Sequence, residues 1–481
     1  MRIDISNAEL HNMVKRKGGL EVRKGLVSIK QPTADNLYVA GFSIESPFTT
    51  EVWHYLFEQH TITGVVTLRV YTEDFVELYS HDLGALDSKP VITHAVANNQ
   101  IMINSPSFST PLYGLVGGGI IPAVKTESEN PDTTALEIPI GHTCSFGPRT
   151  AIAQGNIVYF NDASQTADPR TFVSQNANPL AGTIYDLFQG DDGALYMFTS
   201  AGVFYMAQDA IGKGQRVEGF IGMIPGLQTT KPRNAAASNG VVAVLQRGGI
   251  TILGGKNQVI DVASYKGPRY YSRPTEVDDY RLSGEIFATA EGFIVGFRGN
   301  RGSGSSFFLD FNLREGYRSF VWPSGYSVNV VGTLRSRDND TIILLDDNVA
   351  MYSGNYDALD ESIDELYASA CVDVDTPEGL EFMVRHVVTS SENVNGQSYV
   401  FLDNVTSGKS VPSRPGDAII GTDDWTGVAS GRRLRSTRHG FSRRLTNISL
   451  EVTFTGSGMS RVESGVDVQT KGQGRKRGNK R

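Results

Sequence analysis

Residues 240–255 read GVVAVLQRGGITILGG: an apolar segment, a polar turn with two glycines, and a second apolar segment. Two short apolar runs joined by a tight glycine turn are typical of a β-hairpin. Related units recur at 155–162, 193–206, 292–311 and 341–352. The steps between them are 39, 46, 52 and 48 residues, counted between first strands centred on Val158, Met197, Ala243, Val295 and Ile343. A period of this size, with several short strands in each unit, predicts the blades of a β-propeller.

The segments on either side of these units predict further β-structure. Alternation begins at Asn36 and continues through a hairpin at 64–79, and a short helix is predicted over 50–59. An acidic helix is predicted over 357–369, and strands follow at 381–388, 398–402 and 446–454. We therefore expect an all-β protein with a propeller at 36–364. A second β-rich platform domain, at 365–470, would be completed by the N-terminal segment 1–35.

The composition is that of a folded protein. Hydrophobic residues make up 40% of the 481 residues, charged residues make up 20%, and there are 52 glycines. No apolar run reaches the roughly 18 residues of a membrane span, and the N-terminus (MRIDISNAEL) has no secretory apolar core, so we expect synthesis in the cytoplasm. Cys144 and Cys371 lie far apart without ligand-like spacing, and we expect two buried thiols.

Charge is distributed unevenly along the chain. From Ser430 to Arg481 there are thirteen Lys or Arg against three acids, a balance of +10, whereas the first 429 residues hold 31 against 49, a balance of −18. The last eleven residues, KGQGRKRGNKR, cannot bury a core, so residues 471–481 are expected to form a disordered basic tail. This asymmetry indicates a basic arm or docking face on an acidic body.

Motifs for catalysis and metal binding are absent from the sequence. The eight histidines show no i, i+2 or i, i+4 pairing, and no Gly-x-Ser-x-Gly motif occurs. The Asp191–Asp192 and Asp346–Asp347 pairs fall in predicted turns, where short polar side chains satisfy backbone groups. We therefore expect no enzyme activity, no metal, no cofactor and no small-molecule substrate. A carbohydrate-binding or carbohydrate-active propeller stays open as an alternative. Glycosidases with this fold need carboxylates near the axis, and the sequence does not decide whether any converge there.

A cluster of arginines is the strongest indication of a binding function in the sequence. Guanidinium groups at this density suit carboxylate or phosphate partners. Docking to an acidic protein, pairing with the acidic body of the same chain or of a neighbouring subunit, and contact with nucleic acid are all open. The docking candidates are Arg432, Arg433, Arg435, Arg438, Arg443 and Arg444. The candidates for DNA contact in the tail are Lys471, Arg475, Lys476, Arg477, Lys480 and Arg481.

Three stretches resemble the tail nozzle proteins of short-tailed bacteriophages, also called tail tube or packaged-DNA stabilisation proteins. Residues 18–27 (GGLEVRKGLV) resemble the opening of that family. Residues 146–162 (FGPRTAIAQGNIVYFND), followed by 168–172 (DPRTF), resemble one of its blades. Residues 184–188 (IYDLF) running into 195–203 (LYMFTSAGV) resemble the next blade. The basic tail departs from the family pattern.

The resemblance implies a structural virion protein. Six copies would surround a channel below a tail adaptor ring attached to the portal. They would contact other tail components such as fibres, spikes or a needle, retain the packaged double-stranded DNA and conduct it into the host. An acidic body fits this role, because like charge repels the phosphate backbone. A generic propeller scaffold for protein partners is the other alternative.

Overall fold

The structure is a computed structural model of the full chain. It describes every residue except 1, 5–8, 17–18, 47–48, 88, 98, 127–134, 162–168, 191–192, 207–220, 225, 239–240, 248, 255–257, 263–278, 298–306, 322–328, 339, 353–365, 375–379, 394–395, 405–409, 413–434, 446–447, 457–459, 464 and 476–481.

Five short strands open the chain. They are β1 (Arg2–Asp4), β2 (Glu9–His11), β3 (Met13–Arg16), β4 (Gly19–Val22) and β5 (Leu26–Lys30). The next strands form three blades of successive antiparallel strands. Blade 1 contains β6 (Asn36–Glu45), β7 (Val52–His60), β8 (Val65–Thr72) and β9 (Glu77–Ala85). Blade 2 contains β10 (Thr93–Ala97), β11 (Gln100–Asn104), β12 (Leu112–Leu115) and β13 (Ile120–Pro122). Blade 3 contains β14 (Ala135–Leu136), β15 (His142–Phe146), β16 (Arg149–Gln154), β17 (Ile157–Asn161) and β18 (Phe172–Pro179).

Four further blades follow. Blade 4 contains β19 (Ile184–Gln189), β20 (Leu195–Thr199), β21 (Val203–Met206) and β22 (Ile221–Ile224). Blade 5 contains β23 (Ala235–Ser238), β24 (Val241–Gln246), β25 (Gly249–Gly254) and β26 (Gln258–Val262). A one-turn helix, α1 (Tyr280–Ser283), precedes blade 6, which contains β27 (Gly284–Ala288), β28 (Gly292–Phe297), β29 (Phe307–Asn312) and β30 (Tyr317–Val321). Blade 7 contains β31 (Val330–Arg335), β32 (Thr341–Leu345) and β33 (Val349–Tyr352), and β5 is its outer strand.

The core of the propeller lies between the blades. Each of the seven junctions between neighbouring blades holds its own cluster of buried apolar side chains, including the junction between blade 7 and blade 1. Seven blades in chain order, with the last packed on the first, form a closed ring. The fold is therefore a seven-bladed β-propeller, which confirms the propeller predicted from the repeats.

In six blades the first strand lies innermost, and in blade 3 the second strand, β15, takes this position. These seven strands are β6, β10, β15, β19, β23, β27 and β31, and neighbours around the ring contact one another. A polar or aromatic side chain links each neighbouring pair. The links are Phe42–His94, Ser145–Val96, Gln189–Gly147, Asp186–Asn234, Ser238–Thr289, Thr333–Ala288 and Ser43–Arg335.

The N-terminal segment closes the ring. β5 pairs with β33, which places a strand from residues 26–30 in the same sheet as residues 330–352. Leu26 is fully buried in the apolar cluster between blades 6 and 7, and Ser28 Oγ donates a hydrogen bond to Asn348 Oδ1 at 2.8 Å. The last blade therefore depends on both ends of the propeller sequence.

Two glycines allow the innermost strands of blades 7 and 1 to approach closely. A Cβ atom on Gly332 would lie 2.7 Å from the main-chain oxygen of Gly41. A Cβ atom on Gly41 would lie 2.5 Å from Leu344 Cδ2. At Gly332 the obstacle is main chain, so a larger residue would push the two strands apart, whereas at Gly41 the Leu344 side chain would have to move.

The C-terminal region forms the platform together with strands from the N-terminus. It contains β34 (Leu366–Val374), β35 (Leu380–Asn393), β36 (Gly396–Asn404), β37 (Ser410–Pro412), β38 (Arg435–Leu445), β39 (Ile448–Gly456), β40 (Ser460–Glu463) and β41 (Gly465–Arg475). β1, β3 and β4 share one sheet with β35, β38, β40 and β41. The prediction of a second β-rich unit built from both termini is confirmed.

β2 joins the platform to the propeller. It runs parallel to β30 of blade 6 on one side, with Leu10 opposite Ser319, and antiparallel to β34 on the other side, with Leu10 opposite Ala370. Blade 6 therefore belongs to a nine-stranded sheet that continues into β34, β39, β36 and β37. Main-chain hydrogen bonds run without interruption from one unit to the other.

Several local predictions were wrong. The helix predicted over 50–59 is strand β7, because a strand buried on both faces has no alternating pattern. Residues 366–369 of the predicted acidic helix belong to β34, and 357–365 lie outside the described residues. β5 lies in the segment assigned to the platform, yet it pairs in blade 7. Lys471–Arg475, expected to be disordered, lie in β41. Cys144 is buried as expected, and burial raises the pKa of its thiol to about 12.

Candidate functional site

Those predicted docking and DNA-contact residues that the structure describes lie on one sheet of the platform. Four of the six clustered arginines lie on β38, at Arg435, Arg438, Arg443 and Arg444. Two of the six basic tail residues, Lys471 and Arg475, lie on β41. Arg432, Arg433, Lys476, Arg477, Lys480 and Arg481 lie outside the described residues.

β35 lies between the two basic strands. β38 pairs with one edge of β35 and β41 pairs with the other, both antiparallel. Arg443 and Arg444 stand opposite Val384 and Met383, and Arg475 stands opposite Leu380. Three basic positions on two separate strands therefore lie beside the first five residues of β35. We refer to β35, β38 and β41 as the basic sheet.

A second polar site lies on the propeller, at the end where its innermost strands begin. We call this end the entry face; it is marked by Asn36, Thr93, His142, Ile184, Ala235, Gly284 and Val330. The innermost strands run in the same direction, since neighbours are linked start to start (Asp186 with Asn234) and end to end (Ser43 with Arg335). Polar groups near the first residues of neighbouring innermost strands therefore lie at the same end of the propeller and can contact one another.

Asp186 joins blades 4 and 5 at the entry face. Its two carboxylate oxygens accept hydrogen bonds from consecutive main-chain N–H groups, Arg233 at 3.0 Å and Asn234 at 3.2 Å. Arg233 has φ of 63°, and this left-handed conformation turns both N–H groups towards one acceptor. Burial raises the pKa of the Asp186 carboxyl to about 7, although these hydrogen bonds and the Arg233 charge act in the opposite direction.

The side chain of Arg233 continues the link to blade 6. Its Nη1 atom lies 3.2 Å from Glu285 Oε2 on β27, and its guanidinium lies 5.5 Å from the ring centre of Phe287. His142, at the start of β15, is buried, and burial together with the Arg233 charge lowers its pKa to about 4. At neutral pH the cluster therefore combines a neutral imidazole, a paired cation and a carboxyl group that can donate or accept a proton.

The sequence patterns did not single out Asp186, Arg233, Glu285 or His142 as site residues. Asp186 and Arg233 are separated by 47 residues, and Arg233 and Glu285 by 52, which is close to the steps of 46 and 52 residues between the same blades. Charged residues that recur with the blade period at strand starts were thus the available signal. Within the described residues, no group of three or more His, Cys, Asp or Glu side chains could hold a metal ion, and no helix is long and apolar enough to cross a membrane.

Comparisons with known proteins report likeness in fold alone. No family model and no curated protein matches the sequence. Streptogramin B lyase is 11% identical with a TM-score of 0.44, and the match covers 68% of this chain and 97% of the lyase. A candidate gluconolactonase is 10% identical with a TM-score of 0.30, covering 69% and 92%. Regucalcin, a calcium-binding protein of Agrobacterium tumefaciens, is 11% identical with a TM-score of 0.30, covering 69% and 94%.

These comparisons correct the prediction that the chain is not an enzyme. Two of the three proteins carry the name of an enzyme, so the expectation of no catalytic activity is contradicted. Identities of 10–11% assign no particular reaction to this chain. The fold supports the broader alternative of a propeller protein, and the phage assignment is carried by the sequence resemblance alone.

Proposed function

We propose that this protein is a scaffold that docks macromolecular partners through its platform and, more specifically, that it is the tail nozzle of a short-tailed bacteriophage. The observation that carries the proposal is the basic sheet. Two basic segments from separate parts of the sequence flank β35, in a protein whose first 429 residues have a net charge of −18. Basic residues gathered on paired strands of an otherwise acidic protein suit a partner that presents carboxylates or phosphates.

The connection between the platform and the propeller supports a role in which the protein withstands mechanical force. β2 carries main-chain pairing from β30 directly to β34, so a force on the platform is transmitted to blade 6 through a continuous sheet. A protein that held pressurised DNA would need such a connection. In the nozzle proposal, six copies form a ring beneath the tail adaptor and portal, the platform binds the adaptor, and other tail components attach to the ring in the virion.

Assembly with purified tail components tests the proposal. The full-length protein is mixed with portal and adaptor rings of a short-tailed phage, and particles are imaged by negative-stain electron microscopy. We expect a sixfold ring below the adaptor. Particles without added density, under conditions where adaptor and portal assemble, would contradict the nozzle proposal. Binding of other acidic proteins to the basic sheet, without ring formation, would then favour the broader scaffold function.

The entry-face cluster favours a second candidate function, a carbohydrate-active propeller. Asp186 and Glu285 supply two carboxyl groups on either side of Arg233, and glycosidases use a pair of carboxyl groups. A glycan array followed by hydrolysis assays on any bound glycan tests this candidate. Hydrolysis that is lost in Asp186→Asn, with folding intact, would support it, whereas an array without any binding would contradict it.

A further inference from the structure

A cleft of about 430 Å³ opens on the entry face between blade 7 and blade 1. Blade 1 contributes the start of β6 and the turn between β7 and β8, and blade 7 contributes Asn329, Val331 and Asp346. This volume falls in the range of small-molecule pockets, roughly 300–1,000 Å³. It is separate from the basic sheet and from the Asp186 cluster, which joins blades 4, 5 and 6.

Hydrogen bonds fix the walls of the cleft. Gln59 Nε2 donates to the main-chain oxygens of Gly64, Leu86 and Asp87, each at 3.2 Å, and so ties the β7–β8 turn to the segment after β9. On the opposite wall, Asn329 Nδ2 donates to Asp346 Oδ2 at 2.7 Å, and Tyr38 N donates to the main-chain oxygen of Asp346 at 2.7 Å. Walls that are already rigid reduce the ordering cost of binding a ligand.

The apolar side chains of the cleft are unusually accessible. Ile62, in the turn, is 86% exposed, and Leu37, on β6, is 39% exposed. Val331 lies deeper and is buried in the cluster between blades 7 and 1. Large apolar side chains that remain exposed around a concave surface are typical of binding sites.

The polar groups of the cleft are balanced in charge. His60 Nδ1 accepts hydrogen bonds from Ile62 N and Thr63 N, both at 3.2 Å, so the neutral ring carries its proton on Nε2 and can donate there. Lys89 supplies one positive charge and Asp346 one negative charge. Such a lining matches a neutral molecule with an apolar body and one or two hydrogen-bonding groups better than it matches an ion.

We propose that the cleft between blades 7 and 1 is a binding site for a small, neutral, amphipathic molecule, held by Leu37, Ile62 and Val331 and oriented by His60. Because the site is built from the first and the last blade, a bound molecule spans the point at which the ring closes. Binding to the folded state alone stabilises it. A bound ligand would therefore stabilise the closed ring of blades.

Fluorescence titration of the full chain with 6-propionyl-2-(dimethylamino)naphthalene, a neutral apolar probe with one carbonyl group that can accept from His60 Nε2, tests the proposal. We expect saturable binding of one probe per chain and a rise in the melting temperature at saturation. Ile62→Ser and Leu37→Ser should each weaken binding about tenfold, as expected for loss of one apolar contact. Thr63→Trp, which fills the cleft from an exposed turn, should abolish both the binding and the rise in melting temperature.

Leu282→Ser is the matched control, because Leu282 is 66% exposed but lies outside the cleft. It should leave the affinity unchanged. The proposal is overturned if the probe fails to bind, if Leu282→Ser weakens binding as much as Ile62→Ser, or if Thr63→Trp, with an unchanged circular dichroism spectrum, still binds. Tighter binding of the anionic probe 1-anilinonaphthalene-8-sulfonate at the same site would overturn the assignment to neutral ligands.

Discussion

The carboxylate of Asp186 accepts the main-chain N–H of Asn234 at 3.2 Å and thereby fastens blade 4 to blade 5. The neighbouring N–H of Arg233 uses the other carboxylate oxygen. Asp186→Ala leaves two N–H groups without their acceptor at a buried position, which costs about 1–3 kcal/mol per group. We expect a clearly lower denaturant midpoint in chemical unfolding. Asp338→Asn, at an exposed position on blade 7, is the control and should leave the midpoint unchanged.

The same carboxyl group predicts a pH dependence of stability. Its pKa is raised from 3.8 to about 7 by burial, so between these values the folded state holds a proton that the unfolded state has released. Its contribution to the free energy of unfolding is therefore largest below pH 4 and is lost as the pH rises to about 7. His142, with a pKa lowered to about 4, acts in the opposite direction between pH 4 and 6.5.

Comparison with a variant separates the two groups. The difference in unfolding free energy between the native chain and Asp186→Asn should shrink as the pH rises from 4 to 7, measured by denaturant titration at each pH. A difference that is constant over this range would show that Asp186 does not titrate there.

Ring closure by β5 predicts different costs for neighbouring residues on one strand. Leu26→Ala removes a fully buried side chain from the cluster between blades 6 and 7 and should destabilise the protein by about 2–5 kcal/mol. Val27→Ala, on the next residue, changes a side chain that is 40% exposed and should cost far less. Equal melting temperatures for the two variants would argue against β5 as a structural part of blade 7.

The close approach of blades 7 and 1 predicts that Gly332→Ala is destabilising. The added methyl group would meet the Gly41 oxygen at 2.7 Å, and overpacking of this kind costs about 1–3 kcal/mol. Gly119→Ala provides the control, because its Cβ would have no neighbour within 4 Å. Thermal unfolding of both variants measures the difference, and a Gly332→Ala protein as stable as Gly119→Ala would contradict the packing described here.

The nozzle proposal predicts that changes in the arginine cluster and in the basic tail have unequal effects on tail assembly. Alanine at Arg432, Arg433 and Arg435 should block incorporation into tails and leave particles that leak DNA. Deletion of 476–481 removes four basic residues beyond the end of β41 and should leave assembly intact. Tails are counted by electron microscopy, and packaged genomes by density gradient. If assembly survives the triple substitution but fails after the deletion, residues 476–481 and not the arginine cluster would form the docking surface.

Short apolar runs with glycine turns were sufficient to predict the propeller, because each hairpin is a local feature of about fifteen residues. The strand β7 was mistaken for a helix since its residues are buried on both faces, from Tyr55 to Phe57 without interruption. The Asp186 cluster could not be predicted from local sequence. Its partners are 47 and 48 residues away, and only the closed ring brings them together. β41 was missed because its polar sequence gains a strand conformation only by pairing with β35.

The pairing of β5 with β33 also constrains the order of events on the ribosome. Ser28 and Asn348, which hydrogen-bond across this sheet, are separated by 320 residues. At roughly 5–20 residues per second, the ribosome would need about 16–64 s to deliver the partner of a strand that emerged among the first thirty residues. During that interval β5 has no sheet to join, and blades 1 to 6 can form before it does. The propeller is therefore completed only when nearly three quarters of the chain has been made, and the first segment synthesised is among the last to reach its final position.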